Sequence, residues 1–171
     1  MKQLKYLFVL FIIGCSSTKV VYDYDSKTAF EVYKTFNFFE DAGKGLNELD
    51  VKRITNELTK GLEQKGMVLS ENPDMYINIL SKESKSINRN TIGLGIGGGR
   101  NVGFGISGGI PIGRKKLNQE LTIDFVASKN DELLWQGIAN GVINEKTKPA
   151  ERLVHYKEII EKILENYPPK K

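Results

Sequence analysis

Gln119-Glu-Leu-Thr-Ile-Asp-Phe-Val-Ala-Ser128 and, beyond the loop Lys129-Asn-Asp-Glu132, Leu133-Leu-Trp-Gln-Gly-Ile-Ala-Asn-Gly-Val-Ile143 decide the fold. In the first arm Leu121, Ile123, Phe125 and Ala127 alternate with Glu120, Thr122 and Asp124. A period of two is that of a strand with one dry and one wet face. The second arm is apolar on both faces, with Leu134, Ile138 and Val142 on one and Trp135, Ala139 and Ile143 on the other. A slip of one residue exchanges the two sets, so turn register decides which meets the core. Sequence leaves that choice open, and the remaining face needs some cover.

Downstream, Pro149 suits the first turn of a helix. Leu153, Tyr156, Ile160, Ile163, Leu164 and Tyr167 then form an apolar stripe that ends at Pro168-Pro169. His155, the only histidine, lies beside this stripe and is expected at the surface or its boundary. It has no Ser, Cys or second His in a catalytic arrangement.

Upstream, residues 92–113 hold ten of the 17 glycines. Leu94, Ile96, Val102, Phe104 and Ile106 take even positions while most glycines take odd ones. That period predicts a Gly-rich hairpin with its turn near Arg100. Gly93-Leu-Gly-Ile-Gly-Gly98 and Gly103-Phe-Gly-Ile-Ser-Gly108 match a dinucleotide fingerprint, but no helical pattern follows either, and strict alternation produces such matches by chance. No nucleotide cofactor is expected. Leu94, Ile96, Arg100, Val102, Phe104 and Ile106 are instead candidates for contact with a membrane or partner protein. Each arm is long enough for a membrane strand. An arginine crossing hydrocarbon costs roughly 2.5–3.5 kcal/mol.

Further upstream, Met75, Ile77 and Ile79 alternate along a strand, and Met67–Ser70 forms another. Val51, Ile54, Leu58 and Leu62 define a helix over Asn47–Lys65, with Asn47 as N-cap and Gly66 as terminator. Thr35–Phe39 and Val20–Asp25 are further strands. Asp23 and Asp25 share a strand face at roughly 6–7 Å, a spacing compatible with glycosidase chemistry. Their surroundings favour a solvated strand face, and no catalytic set is expected.

The amino terminus supplies a location. Lys2 and Lys5 precede an apolar run from Tyr6 to Ile13, then Gly14 and Cys15, the only cysteine. The run is too short to span a bilayer and has the form of a signal peptide over residues 1–14. With a single Cys and a single His, a zinc site built from those residues is excluded by count. The formal net charge is +4; without Lys2 and Lys5, 23 basic side chains face 21 acidic ones, interspersed. No basic stripe or nucleic-acid motif is present, so a nucleic-acid partner is rejected.

Ile12-Ile-Gly-Cys15 resembles the lipobox of bacterial lipoproteins. The resemblance implies cleavage before Cys15, acylation of that residue, and, with Ser16 next, an outer-membrane anchor facing the periplasm. Further residues appear in order: Val21-Tyr-Asp-Tyr-Asp25, Tyr33-Lys-Thr-Phe36, Arg53-Ile54, Lys65-Gly66, Pro73-Asp74, Leu121-Thr-Ile-Asp124, Leu134-Trp-Gln-Gly137 and Tyr167-Pro-Pro169. As a set they resemble the domain of unknown function 4136 family of bacterial lipoproteins. Phe38 departs from that pattern, where many relatives carry Trp. The family implies an envelope lipoprotein of α+β build and brings no catalytic residues.

The expectation is therefore a lipid-bearing tether at 15–19 and one α+β domain over 20–171. Its two layers comprise an antiparallel or mixed sheet of about six strands and two helices on one face, with the hairpin at 92–113. The leading function is a non-enzymatic binding or scaffold module, partnered by the bilayer through Cys15 and by an envelope protein. Insertion by the hairpin and carriage of a hydrophobic ligand are the alternatives.

Overall fold

The structure, a computed structural model, describes residues 18–85 and 116–170. The signal, Cys15 and the hairpin at 92–113, with its candidate contacts Leu94, Ile96, Arg100, Val102, Phe104 and Ile106, lie outside the described residues. The chain forms β1 (Lys19–Tyr24), a 3-10 turn (Phe30–Val32), β2 (Thr35–Phe38), α1 (Glu48–Gln64) and β3 (Val68–Leu69). β4 (Met75–Lys85), β5 (Lys116–Ala127), β6 (Leu133–Asn144) and α2 (Pro149–Leu164) follow. The six strands make one mixed sheet in the order β1-β6-β5-β4-β2-β3. β2 pairs parallel with β3 and β4, and the other pairings are antiparallel.

The inward row runs through Met75, Ile77, Ile79, Leu121, Ile123 and Phe125, all fully buried. β6 turns Trp135, Ala139 and Ile143 to this row and leaves Val142 at 52% exposure. Space selects that register: Gly137 lies under the Trp135 ring, where an added Cβ would overlap the indole and sit 2.9 Å from Ile163 Cγ2. A bulge pairs Phe125 with Trp135 and Val126 with Leu133, so Leu134 is the extra residue and is buried too.

α1 starts where expected: the Asn47 side chain accepts from the Asp50 backbone N–H at 3.1 Å. At its end Gly66 has φ +84°, a left-handed conformation suited to glycine. Met67 N–H then reaches back to the Leu62 carbonyl at 3.1 Å and closes the last turn.

The two helices run parallel. Their starts meet where Arg152 bonds Asp50, and their ends meet where Leu164 Cδ1 overlies Gly61. The α2 stripe departs from the expected one at its beginning. Leu153 is 44% exposed, while Ile159 joins Tyr156, Ile160, Ile163 and Leu164 in the core. Arg152 fixes the first turn against α1, which leaves Leu153 outward.

The molecule thus has two ends. β4 stops and β5 begins at one end, where Lys85 is paired to Leu117, and β1 starts on that side but four residues in, with Lys19 paired to Asn140 and so level with Glu120. At the other end lie Tyr24, the loop between β5 and β6, and the tail after α2. Twelve residues of β5 set the separation at about 35–40 Å.

Candidate functional site

Two places gather polar side chains, one at each end. Near the start of β1 the centre is Asp50, 0% exposed. It follows the i, i+4 rhythm of Ile54, Leu58 and Leu62 on the buried face of α1. A carboxylate there has no water to solvate it, so its partners must. Arg53 donates at 2.6 Å, Asn47 Nδ2 at 2.7 Å and Arg152 Nε at 3.1 Å, while Arg152 Nη2 closes the second oxygen. Burial pushes the carboxyl upward, but the hydrogen bonds from Arg152, Asn47 and Arg53 prevail and hold it below the usual carboxylate range.

The network continues inward. Gln119 Nε2 donates to Tyr156 Oη at 3.2 Å and to Glu83 at 3.2 Å. Burial, the chief cause, raises the Tyr156 phenol above its ordinary value. Both carboxylate oxygens of Asp50 are bonded to side chains of α1, its cap or α2, an arrangement that joins the two helices. His155 sits one position from Tyr156 and is half-buried, beside Gly141. Burial, and then the charge of Arg152, lower its pKa.

Asp23 and Asp25 each bond to groups close by in the chain. The Asp23 carboxylate accepts from the Tyr24 N–H at 2.9 Å. Asp25 accepts from the Lys27 N–H at 3.0 Å and from Thr28 Oγ1 at 3.2 Å, holding the turn after β1. Among the described residues no group of three or more His, Cys, Asp or Glu is placed to hold a metal ion. Among them, too, no helix is long and apolar enough to cross a membrane.

The far end carries a notch of about 200 Å³ between the 3-10 turn, the end of α1 and the tail after α2. Its floor is aromatic. Phe30 meets Tyr167 edge-on at 5.8 Å, and Tyr167 meets Phe125 at 4.5 Å and Trp135 at 5.6 Å. Tyr167 Oη points inward to Met75 Sδ, and burial holds the phenol far above its ordinary pKa. Pro168 and Met67 wall the notch, and Lys34, Lys65 and Glu31 also line it. Three separated segments build the notch and no local period links them, so sequence marks only Gly66 and Pro168-Pro169 as terminators, Met67 as the start of a strand and Tyr167 as the end of the α2 stripe. The one available signal was the resemblance itself, since Tyr33, Lys65-Gly66 and Tyr167-Pro-Pro169 all converge here.

The space between sheet and helices is filled by large side chains, among them Trp135, Tyr156, Phe36 and Leu58, each at 0% exposure. Among the described residues, that filled space counts against carriage of a hydrophobic cargo between the two layers. The carrier alternative therefore has no support from the core.

A six-stranded mixed sheet with two parallel helices on one face defines an α+β module of two layers. The chain belongs to the family described as a domain of unknown function, DUF4136, which matches residues 20–169. No curated protein matches it. Among solved structures it is similar to a PDZ domain protein from Parabacteroides distasonis ATCC 8503, with 19% identity and a TM-score of 0.57. That alignment covers 90% of this chain and 37% of the other, so the chain spans little more than a third of that protein. It is also similar to PelC from Paraburkholderia phytofirmans, described as a dodecamer, with 8% identity and a TM-score of 0.53. Here 90% of this chain and 99% of the other are covered. At these identities the likeness is one of fold.

Proposed function

We propose that this chain is a non-enzymatic binding module of the bacterial envelope, held to a membrane by acylation of Cys15 and facing the periplasm. One observation carries the reading. β1 begins at Lys19, so Cys15 would lie within about 14 Å of the folded body, and an acyl anchor there would fix which end meets the bilayer. Two or more acyl chains, each contributing about 0.8 kcal/mol per buried methylene, hold a protein stably. The structural employment of Asp23, Asp25 and Asp50 supports a body that binds rather than catalyses.

The test is metabolic labelling with a clickable palmitate analogue. Wild-type protein carries label and sediments with membranes, and Cys15→Ser loses both. An unmodified amino terminus by mass spectrometry, or a freely soluble wild-type protein, refutes the anchor. Turnover of envelope glycans or phospholipids that disappears on mutating Asp23 or Asp25 refutes the non-enzymatic part.

A second reading, contact of residues 92–113 with the membrane or a partner, has its own support. β4 ends and β5 begins at one end of the sheet, and β1 starts on that side but four residues in. An anchor at Cys15 would therefore bring both attachment points of the 86–115 connection to the bilayer side. Deleting 92–113 is expected to weaken membrane association or alter phenotype; an unchanged fold, association and phenotype dispose of this reading.

A further inference from the structure

We infer that the notch between the 3-10 turn, the end of α1 and the tail after α2 is a binding site for a monocarboxylate carried on a compact apolar or aromatic body. This deepens the binding-module reading and rests on it. The size comes first. A volume of about 200 Å³ lies below the roughly 300–1,000 Å³ of pockets that hold drug-sized ligands. It suits a single ring with a short side arm.

The walls dictate an apolar body. Phe30 and Tyr167 are locked edge-to-face, and Tyr167 is wedged between Phe125 and Trp135. Its hydroxyl is turned inward toward Met75. Met67 and Pro168 add further apolar lining beside these rings. None of these side chains has to reorder on binding, which lowers the entropy cost.

The rim dictates the charge. Lys34 and Lys65 reach it from separate elements, the strand entry and the helix end. Among the described residues neither ammonium is ion-paired. Two cations facing one cleft attract an anion and disfavour a cation. Glu31 also lines the rim, and a singly charged anion meets less repulsion from its carboxylate than a doubly charged phosphate ester. Gly66 adds access, because a Cβ at that position would meet nothing within 4 Å, so the lip beside Lys65 is open.

One chemistry has two sources: a free aromatic or aliphatic acid, and the C-terminal carboxylate of a polypeptide ending in an apolar residue. The experiment uses the full chain, purified in a mild detergent and labelled for amide NMR. The probes are 3-phenylpropionate and the tetrapeptide Ala-Ala-Ala-Phe with a free carboxylate, each beside its neutral amide as a control for partition into detergent. Saturable shifts at Tyr33, Gly66 and Met67 are expected with the acids, with dissociation constants between about 10 µM and 1 mM. Lys34→Gln and Lys65→Gln are each expected to weaken the acids about three- to fivefold, as for solvent-screened pairs, while leaving the amides and the melting temperature unchanged.

If the peptide binds more than about tenfold tighter than the free acid, a polypeptide terminus is the source; the reverse order assigns the free acid. Absence of saturable shifts up to about 5 mM, equal binding of acid and amide, or lysine variants with unaltered affinity overturn the proposal. The lipid-labelling outcome is independent. Acid binding by a chain without an acyl group sinks the anchor and leaves the notch, and the converse result does the opposite.

Discussion

Replacing Asp50 by Asn tests whether the polar network is a structural joint between the helices. The variant keeps the size of the side chain and one carbonyl acceptor. It removes the charge that faces Arg53 at 2.6 Å and Arg152 Nε at 3.1 Å. Breaking a buried ion pair on one side costs about 3–5 kcal/mol, because the remaining charge is stranded. The guanidinium side chains of Arg53 and Arg152 are 18% and 17% exposed, so water relieves part of that, and about 3 kcal/mol is the expected loss. Against a total stability of about 5–15 kcal/mol, this is a large fraction. For a domain of this size it lowers the melting temperature by about 6–12 °C.

The assay is urea and thermal unfolding of the full chain with Asp50→Asn, Arg152→Gln and the double variant. A shared joint makes the double loss smaller than the sum of the singles, with a coupling of about 1–3 kcal/mol. The pH dependence gives a second check. The Asp50 carboxyl is held below its ordinary value of 3.8, so its contribution is complete above that value and is lost as pH falls through the lower folded-state pKa. The gap between wild type and Asp50→Asn should therefore close in strong acid. A melting temperature within about 3 °C of wild type, coupling within about 0.5 kcal/mol of zero, or a gap that widens on acidification would refute the argument.

Three further outcomes are expected. Asp74 accepts from Lys34 N–H at 2.9 Å, Thr35 N–H at 2.9 Å and Thr35 Oγ1 at 2.8 Å, and the Lys34 bond is the chief reason its pKa lies low. Asp74→Ala should cost about 2 kcal/mol near neutral pH, read as a lower urea midpoint, with the difference shrinking below about pH 4. Gly137→Ala drives a methyl into the Trp135 ring and should cost about 1–3 kcal/mol, with a changed near-ultraviolet circular dichroism signal from the single tryptophan. His155 Nε2 is buried without a partner among the described residues, and burial, then Arg152, depress its pKa against the opposing pull of Glu158 and Asp50. The stability it permits is complete above about pH 6.5 and falls as pH drops below it; His155→Phe should flatten that part of the urea-midpoint profile.

Sequence by itself determined the elements. The two-residue rhythm of Gln119–Ser128, the spacing of Ile54, Leu58 and Leu62, and the signals at Asn47, Gly66 and Pro149 are local devices, and local sterics make them act wherever they occur. The chain's membership of its family was equally legible, because an ordered series of short motifs survives without knowledge of contacts. What the tertiary structure decided lay between elements. The inward set of β6 was chosen by Gly137 making room for Trp135, a relation invisible to a pattern that is apolar on both faces. Asp50 and Gln119 sit in phase with the buried stripes of α1 and β5, a clue that polar residues were being taken inside. Their partners are Arg152 and Tyr156 on α2, and that pairing required the two helices to run parallel. The notch is the extreme case, assembled from residues more than a hundred positions apart. Alternation and helical spacing report only how one element meets the core, whereas a cleft is made by how three elements meet one another.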